Sequence, residues 1–239
     1  MVRGSSEQRQ YLDDRRDAPI KKDTAKPPCA TLPAGYTPFR LSGDRAEAPY
    51  LSYLRSRNIT ERIVALYRMG YVADGELSGR VVIPSFDRFG SINFWSARSI
   101  YPGEHLFRYR LPPASKDVIS NEHMVDWNTP VYIVEGIFDE IAAGSQGIAV
   151  YGKFVPPSLT LRLVEKRPPM TYICLDDDAR DDAMDLLERL AGYDIPCAVV
   201  DLGCHDPAIA GFDAIESAAM ISAPHTGSIG ILRERLRYL

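Results

Sequence analysis

Val131 to Ile141 reads VYIVEGIFDEI and Thr171 to Asp178 reads TYICLDDD, each an apolar run that ends abruptly in carboxylates. Continuous apolar runs rich in β-branched residues predict strands buried on both faces, the kind found in parallel sheets. Whatever follows such a strand lies at the sheet's carboxyl edge, where open α/β folds keep their chemistry. Outward from these stretches the chain alternates strand and helix. VYIV leads to a helix near Phe138 to Ala143, GIAV (Gly147 to Val150) to a helix from about Ser158 to Val164, and TYICL to a helix from about Ala179 to Ala191. The strand CAVVD (Cys197 to Asp201) comes next, and helices near Phe212 to Met220 and Ile229 to Tyr238 close the chain. This alternation predicts parallel strands joined by right-handed crossovers, an α/β fold built on a small parallel sheet flanked by helices.

Upstream the pattern differs. Residues 1–30 are polar, charge-mixed and run into Lys26-Pro27-Pro28, a composition that buries too little apolar surface to fold alone and reads as a tail or linker. Residues 31–128 read as an α+β unit. Ala46 to Arg57 and Thr60 to Met69 have helical apolar spacing, with Thr60 as the N-cap and Gly70 as the stop of the second helix. GRVVIP (Gly79 to Pro84) and SINFWSA (Ser91 to Ala97) read as strands of an antiparallel hairpin turned by Asp87-Arg88-Phe89-Gly90. Tyr101 to Asn128 follows neither period. The parallel unit then spans 129–205, and 206–239 is a C-terminal helical segment.

A chain of 239 residues with 45% apolar content buries a real core. Its net charge of −4 supplies no global field for nucleic acid, so a polyanion would be held by a local basic patch or by bridging metal. Cys29, Cys174, Cys197 and Cys204 show no CxxC spacing. Cys174 and Cys197 fall in strand-like runs, where free cysteine acts as a small buried hydrophobe, and the expectation is a reducing compartment. With no signal-peptide h-region and no apolar run of about 18 residues, the sequence reads as soluble, cytoplasmic and free of membrane.

The acidic positions have a chemical logic. Glu135, Asp176 and Asp178 follow the ends of two strands of one predicted sheet, with Asp139 one helical turn beyond Glu135. Hard divalent cations need carboxylate oxygens converging from different strands, and crowded carboxylates repel strongly without a cation. In an extended segment residues i and i+2 point the same way, so Asp176 and Asp178 share a direction that Asp177 does not. The competing reading is capping: Asp176, Asp177, Asp178, Asp181 and Asp182 also suit the first turn of a helix, where the macrodipole favours acids. Glu135 has no such role, and Gly136 after it permits close approach of backbone to a ligand.

The EGxxD pattern at Glu135, Gly136 and Asp139, followed by DxD at Asp176 and Asp178, resembles the Toprim domain of bacterial-type primases, topoisomerases and a group of nucleases. The flanking sequence narrows the resemblance. Leu32 to Gly35 (LPAG), Tyr50 to Ile59 (YLSYLRSRNI), Met69-Gly70-Tyr71, and GRVVIP with Asp87, Gly90 and Arg98 are similar to the N-terminal half of the catalytic core of phage and bacterial DNA primases. Arg108-Tyr109 resembles that family's lysine-tyrosine pair, and Asp206-Pro207 with Gly211-Phe212-Asp213 its last acidic motif. The resemblance covers about residues 31 to 222.

It implies a Toprim-type parallel sheet preceded by an α+β primase subdomain and followed by short C-terminal helices. It also implies a primase core that joins ribonucleotides on single-stranded DNA with Mg²⁺ or Mn²⁺, by two-metal nucleotidyl transfer. Carried over, Glu135 acts at the metal or as general acid/base and Asp176 and Asp178 hold the cations, supported by Asp139 and Asp206. Arg80, Arg98, Arg108 and Lys153 form the basic ridge for template and incoming triphosphate, because phosphate recognition needs fixed cations. Trp95, Phe107 and Tyr109 are aromatics that stack on bases or pack a core. Two departures stand out: Ala179-Arg180-Asp181-Asp182 replaces the small residue and glycine that usually follow the DxD, and His205 stands where the family often carries lysine. No zinc site is expected, since Cys29 stands alone and Cys204-His205 is isolated, and no GxxxxGK[ST] helicase motif is present. A replicative helicase, a separate zinc-binding subunit or both are the expected protein partners, in host cytoplasm for a phage enzyme. A metal-dependent nuclease and an inactive scaffold subunit of a replisome are the alternatives. A topoisomerase needs a tyrosine-bearing domain for which this length leaves no room.

Overall fold

The computed structural model describes residues 30–101, 103, 107–152, 154–176, 179–203, 207–222 and 224–225. The segment at 1–29 and the helix expected at 229–238 lie outside them, as do Cys29, Lys153, Asp177, Asp178, Cys204, His205 and Asp206.

The first half is an antiparallel sheet carrying two helices. β1 (Tyr36–Pro38) is followed by α1 (Ala48–Arg55) and α2 (Glu61–Leu66). β2 (Gly70–Val72), β3 (Arg80–Phe86), β4 (Ile92–Ser99) and β5 (Tyr109–Arg110) complete the sheet in the order β1-β2-β3-β4-β5. The expected hairpin is β3–β4. Its turn is held by Asp87, whose Oδ1 accepts the N–H of Phe89 and of Ser91 at 2.9 Å, while Gly90 adopts φ of 78° at the turn. Thr60 caps α2 as expected, accepting from Ile63 N.

Gly70 does something other than stop that helix. α2 already ends at Leu66, Arg68 turns through a positive φ of 48°, and Gly70 opens β2. A Cβ at Gly70 would overlap the Thr37 carbonyl oxygen and the Tyr36 ring on the paired strand. The glycine therefore lets β1 and β2 approach. Gly70→Ala is expected to cost about 2 kcal/mol, because the clashing oxygen belongs to backbone and the strands must separate to relieve it. Chemical denaturation of the variant beside wild type measures it.

The second half is the predicted parallel sheet. It comprises β6 (Val131–Val134), α3 (Ile137–Ala142), β7 (Gly147–Ala149), α4 (Pro157–Lys166), β8 (Thr171–Cys174), α5 (Arg180–Ala191) and β9 (Cys197–Val199), in strand order β7-β6-β8-β9. α6 (Pro207–Ala210) and α7 (Phe212–Ile221) follow. Beyond them His225 bridges β9, its N–H donating to the Cys197 carbonyl at 2.8 Å.

Alternate residues of β6 serve two cores, as a two-faced buried strand requires. Val131 and Ile133 pack with Leu159 and Leu163 of α4 and Leu186, Leu187 and Leu190 of α5. Tyr132 and Val134 face the other way, into a core shared with Ile83 and Phe94 of the antiparallel sheet and Leu54 of α1. The two halves thus share apolar surface. Cys174 and Cys197 are free and buried in their strands, and burial raises the Cys197 thiol pKa to about 12. Trp95 takes the packing role: it lies against Val72, Val82 and Ala97, and its Nε1–H donates to the Thr31 carbonyl at 2.9 Å. No helix among the described residues is long and apolar enough to cross a membrane.

Candidate active site

β6 and β8 are paired in parallel with Val134 opposite Cys174. The step beyond brings Glu135 level with Leu175, and Asp176 one residue on, at the carboxyl edge of adjoining strands. Glu135 Oε2 and Asp176 Oδ1 are both shielded from solvent. Asp139 is tied down twice. Its Oδ2 accepts the Gly136 N–H at 2.9 Å, closing the first turn of α3, and its Oδ1 accepts the Ala208 N–H at 3.1 Å, drawing α6 to the edge. A Cβ on Gly136 would sit 3.0 Å from Asp139 Oδ2, so the glycine of the EGxxD motif makes room for that carboxylate. Asp181 and Asp182 occupy the first turn of α5, where the capping reading put them.

Carboxylate oxygens from two adjoining strand ends are the donors that Mg²⁺ and Mn²⁺ prefer. Glu135 and Asp176 fit such a cation by chemistry and position, whereas Asp139, with both oxygens receiving backbone N–H groups, fits a supporting role. Among the described residues no set of three or more His, Cys, Asp or Glu side chains forms a ready metal cluster.

Beside this edge the antiparallel half presents a circuit of arginines and rings. The Arg57 guanidinium lies 4.9 Å from the centre of the Phe138 ring and 5.4 Å from that of Tyr53. The Tyr53 hydroxyl accepts from Arg98 Nε at 3.0 Å, and the Arg98 guanidinium stacks 4.4 Å from the centre of the Tyr109 ring. Tyr109 returns to Phe138 with ring centres 6.4 Å apart. Phe138 belongs to the helix that follows Glu135 and carries Asp139, so the circuit reaches the element that borders the acidic edge. Burial raises the Tyr109 hydroxyl pKa, Arg98 lowers it and Asp139 raises it again, a measure of how closely the two charge types meet there. Tyr109 itself remains 41% exposed.

The basic residues picked from the sequence divide. Arg108 is exposed. Arg98 is 4% exposed and engaged in the circuit. Arg80, expected on the same face, is 3% exposed, and its guanidinium donates to the Phe107 carbonyl at 2.8 Å and the Arg108 carbonyl at 3.2 Å. Burial first, then the Arg110 charge, lowers its pKa. Arg80 therefore holds the segment that carries Arg108 rather than offering its own fork to a phosphate. The sequence reading passes over Arg57 and Tyr53 as site residues, although both lie in the YLSYLRSRNI run; the sign of their role is the ring stacking, which only the fold brings together.

No family model and no curated protein matches the sequence. Solved structures do resemble it. The DnaG primase catalytic domain bound to single-stranded DNA superposes with a TM-score of 0.66 at 17% identity, over 76% of this chain and 74% of that one. The Escherichia coli primase catalytic core gives 0.63 at 16% identity, over 76% and 75%. The RNA polymerase domain of Mycobacterium tuberculosis primase, bound to duplex DNA with a 6-nucleotide overhang, gives 0.62 at 17% identity, over 76% and 75%. The chain has the fold of primase catalytic cores: an antiparallel sheet with helices joined to a helix-flanked parallel sheet.

Proposed function

We propose that the chain is a DNA primase catalytic core that synthesises short RNA primers on single-stranded DNA. The observation that carries this reading is the meeting of the Glu135–Asp176 edge with the Arg57–Tyr53–Arg98–Tyr109–Phe138 circuit, on the primase-core fold. A bound divalent cation would lower the barrier by neutralising charge on the phosphates and by easing loss of the proton from the attacking 3′-hydroxyl. Glu135, Asp176 and Asp178 would hold it, with Asp139 fixing the backbone around them and Asp206 in support of the cation. Arg98 and Arg57 would present charge to phosphate or base, Tyr109 would supply a stacking platform, and Arg108 and Lys153 would extend the basic face. Arg80 contributes by holding Phe107 and Arg108 in place. In that role the partners are the DNA template, ribonucleoside triphosphates and, as in the family it resembles, a replicative helicase or a zinc-binding subunit. A phage enzyme would act in the host cytoplasm.

The test is incubation of the purified chain with circular single-stranded DNA, labelled ribonucleotides and Mg²⁺ or Mn²⁺, with RNA products and DNA integrity scored on one gel. Short labelled oligoribonucleotides support the assignment. Shortened DNA without RNA would move it to a nuclease, and neither product would leave a scaffold module.

A further inference from the structure

Glu140 follows the EGxxD motif immediately, and nothing in the proposed chemistry uses it. It is nevertheless 0% exposed, a costly place for a carboxylate unless its position matters. Its Oε2 accepts the Ala149 N–H at 3.0 Å from β7 within its own sheet. Its Oε1 accepts from Asn121 Nδ2 at 2.6 Å. Asn121 is the bridge. Held at a left-handed φ of 42°, it accepts through Oδ1 the Phe86 N–H at 3.2 Å, and its own N–H donates to Ser85 Oγ at 3.2 Å.

Those last two contacts fall where β3 slips register against β4, between Ser85 and Phe86. The irregularity frees a backbone N–H that the ladder would otherwise use, and Asn121 takes it up. Ser85 Oγ continues to Asn93 Oδ1 at 2.7 Å, and Asn93 Nδ2 to the Ile119 carbonyl at 2.8 Å, fastening the bridge to β4 and to the 119–121 segment. Asn121 is 1% exposed and Asn93 7%. Facing Glu140 from the other elements are two phenols, Tyr67 after α2 and Tyr151 after β7, the latter bonded to Ser120 Oγ at 2.7 Å.

We infer that Glu140 is a positioning residue: with Asn121 it pins α3, the helix behind Glu135, to the irregular end of β3, and so sets the separation of the acidic edge from the arginine–aromatic face. The apolar core between the two halves gives cohesion without direction, whereas a buried, fully engaged polar pair specifies one arrangement. Substrates that reach both faces require that arrangement. The activity readout rests on the primase reading, so the test carries a second one.

The polarity of the pair can be moved across the bond. In Glu140→Gln the new amide meets either the Ala149 N–H or the Asn121 amide, donor against donor. In Asn121→Asp the introduced carboxylate faces that of Glu140. When both substitutions are combined, the introduced amide accepts from Ala149 and donates to the introduced carboxylate, which still accepts from Phe86. At a temperature where circular dichroism finds every variant folded, each single change is expected to lower kcat of primer synthesis at least about tenfold with nucleotide KM within about threefold of wild type, and the double variant to return to within about threefold. Single variants with wild-type kcat, or a double variant no better than the singles, would overturn the inference. If the wild type makes no primers, the functional reading fails separately and the pair is read by hydrogen exchange of the Phe86 and Ala149 amides. Protection lost in the singles and regained in the double supports it; unchanged protection overturns it.

Discussion

Glu135→Gln is expected to lower primer synthesis by at least about a thousandfold, roughly 4 kcal/mol of transition-state stabilisation, while the chain stays folded. The side chain keeps its shape but loses the negative charge that would hold a cation or move a proton at the strand edge. The start of α3 is retained, because Glu135 precedes the cap and the capping interaction belongs to Gly136 and Asp139. Two measurements separate chemistry from folding. Wild type should gain thermal stability with Mg²⁺ by mass action, about 2.7 kcal/mol at a concentration a hundredfold above the dissociation constant. Without metal the variant should unfold no lower than wild type, since one of the mutually repelling carboxylates is gone, and it should gain less from Mg²⁺. Undiminished turnover in the variant would remove Glu135 from the catalytic set.

Arg98→Ala should weaken binding of a single-stranded oligonucleotide about a hundredfold, roughly 2.7 kcal/mol. One guanidinium does two jobs: Nε donates to the Tyr53 hydroxyl and the plane stacks on Tyr109. Truncation leaves Tyr53 without that donor and Tyr109 without its stacking partner, so the loss exceeds one hydrogen bond or one cation–π contact taken alone. Arg98→Lys tests geometry against charge. An ammonium keeps the charge but cannot stack as a plane while donating sideways to a phenol, so it should recover only part of the affinity. Fluorescence anisotropy with labelled oligonucleotide reads both. Wild-type affinity in Arg98→Ala would show that the template bypasses the circuit.

Much of the parallel half is legible because its strands are buried on both faces. VYIV and TYIC stand out as unbroken apolar runs, and the carboxylates that end them are conspicuous against that background. The antiparallel half is harder. β1 and β2 are three residues each, too short for alternation to declare itself, and Pro38 and Gly70 within them both argue locally against strand. Gly70 looks like a helix stop for the same reason: a glycine after an amphipathic run suits a C-cap as well as a close approach between strands, and only the pairing decides. Glu135 and Asp176 follow from the pattern, whereas the Arg57–Tyr53–Arg98–Tyr109–Phe138 circuit joins segments far apart in sequence. Residue type alone singles out Arg80, whereas the carbonyls of Phe107 and Arg108 that take up its guanidinium are a tertiary feature. Glu140 is invisible at that level, since an acid within a helix's first two turns reads as a solvated one.

The bridge from His225 to β9 bears on how molecules of this protein meet one another. An outermost strand is a template on which a second chain can add itself, and such rims are where stacking into larger aggregates begins. At Cys197 that rim is already engaged, because the Cys197 carbonyl receives the His225 N–H. The residues beyond the last described helix thus cover part of the margin of the chain's own sheet, leaving that stretch of backbone less open to an added strand.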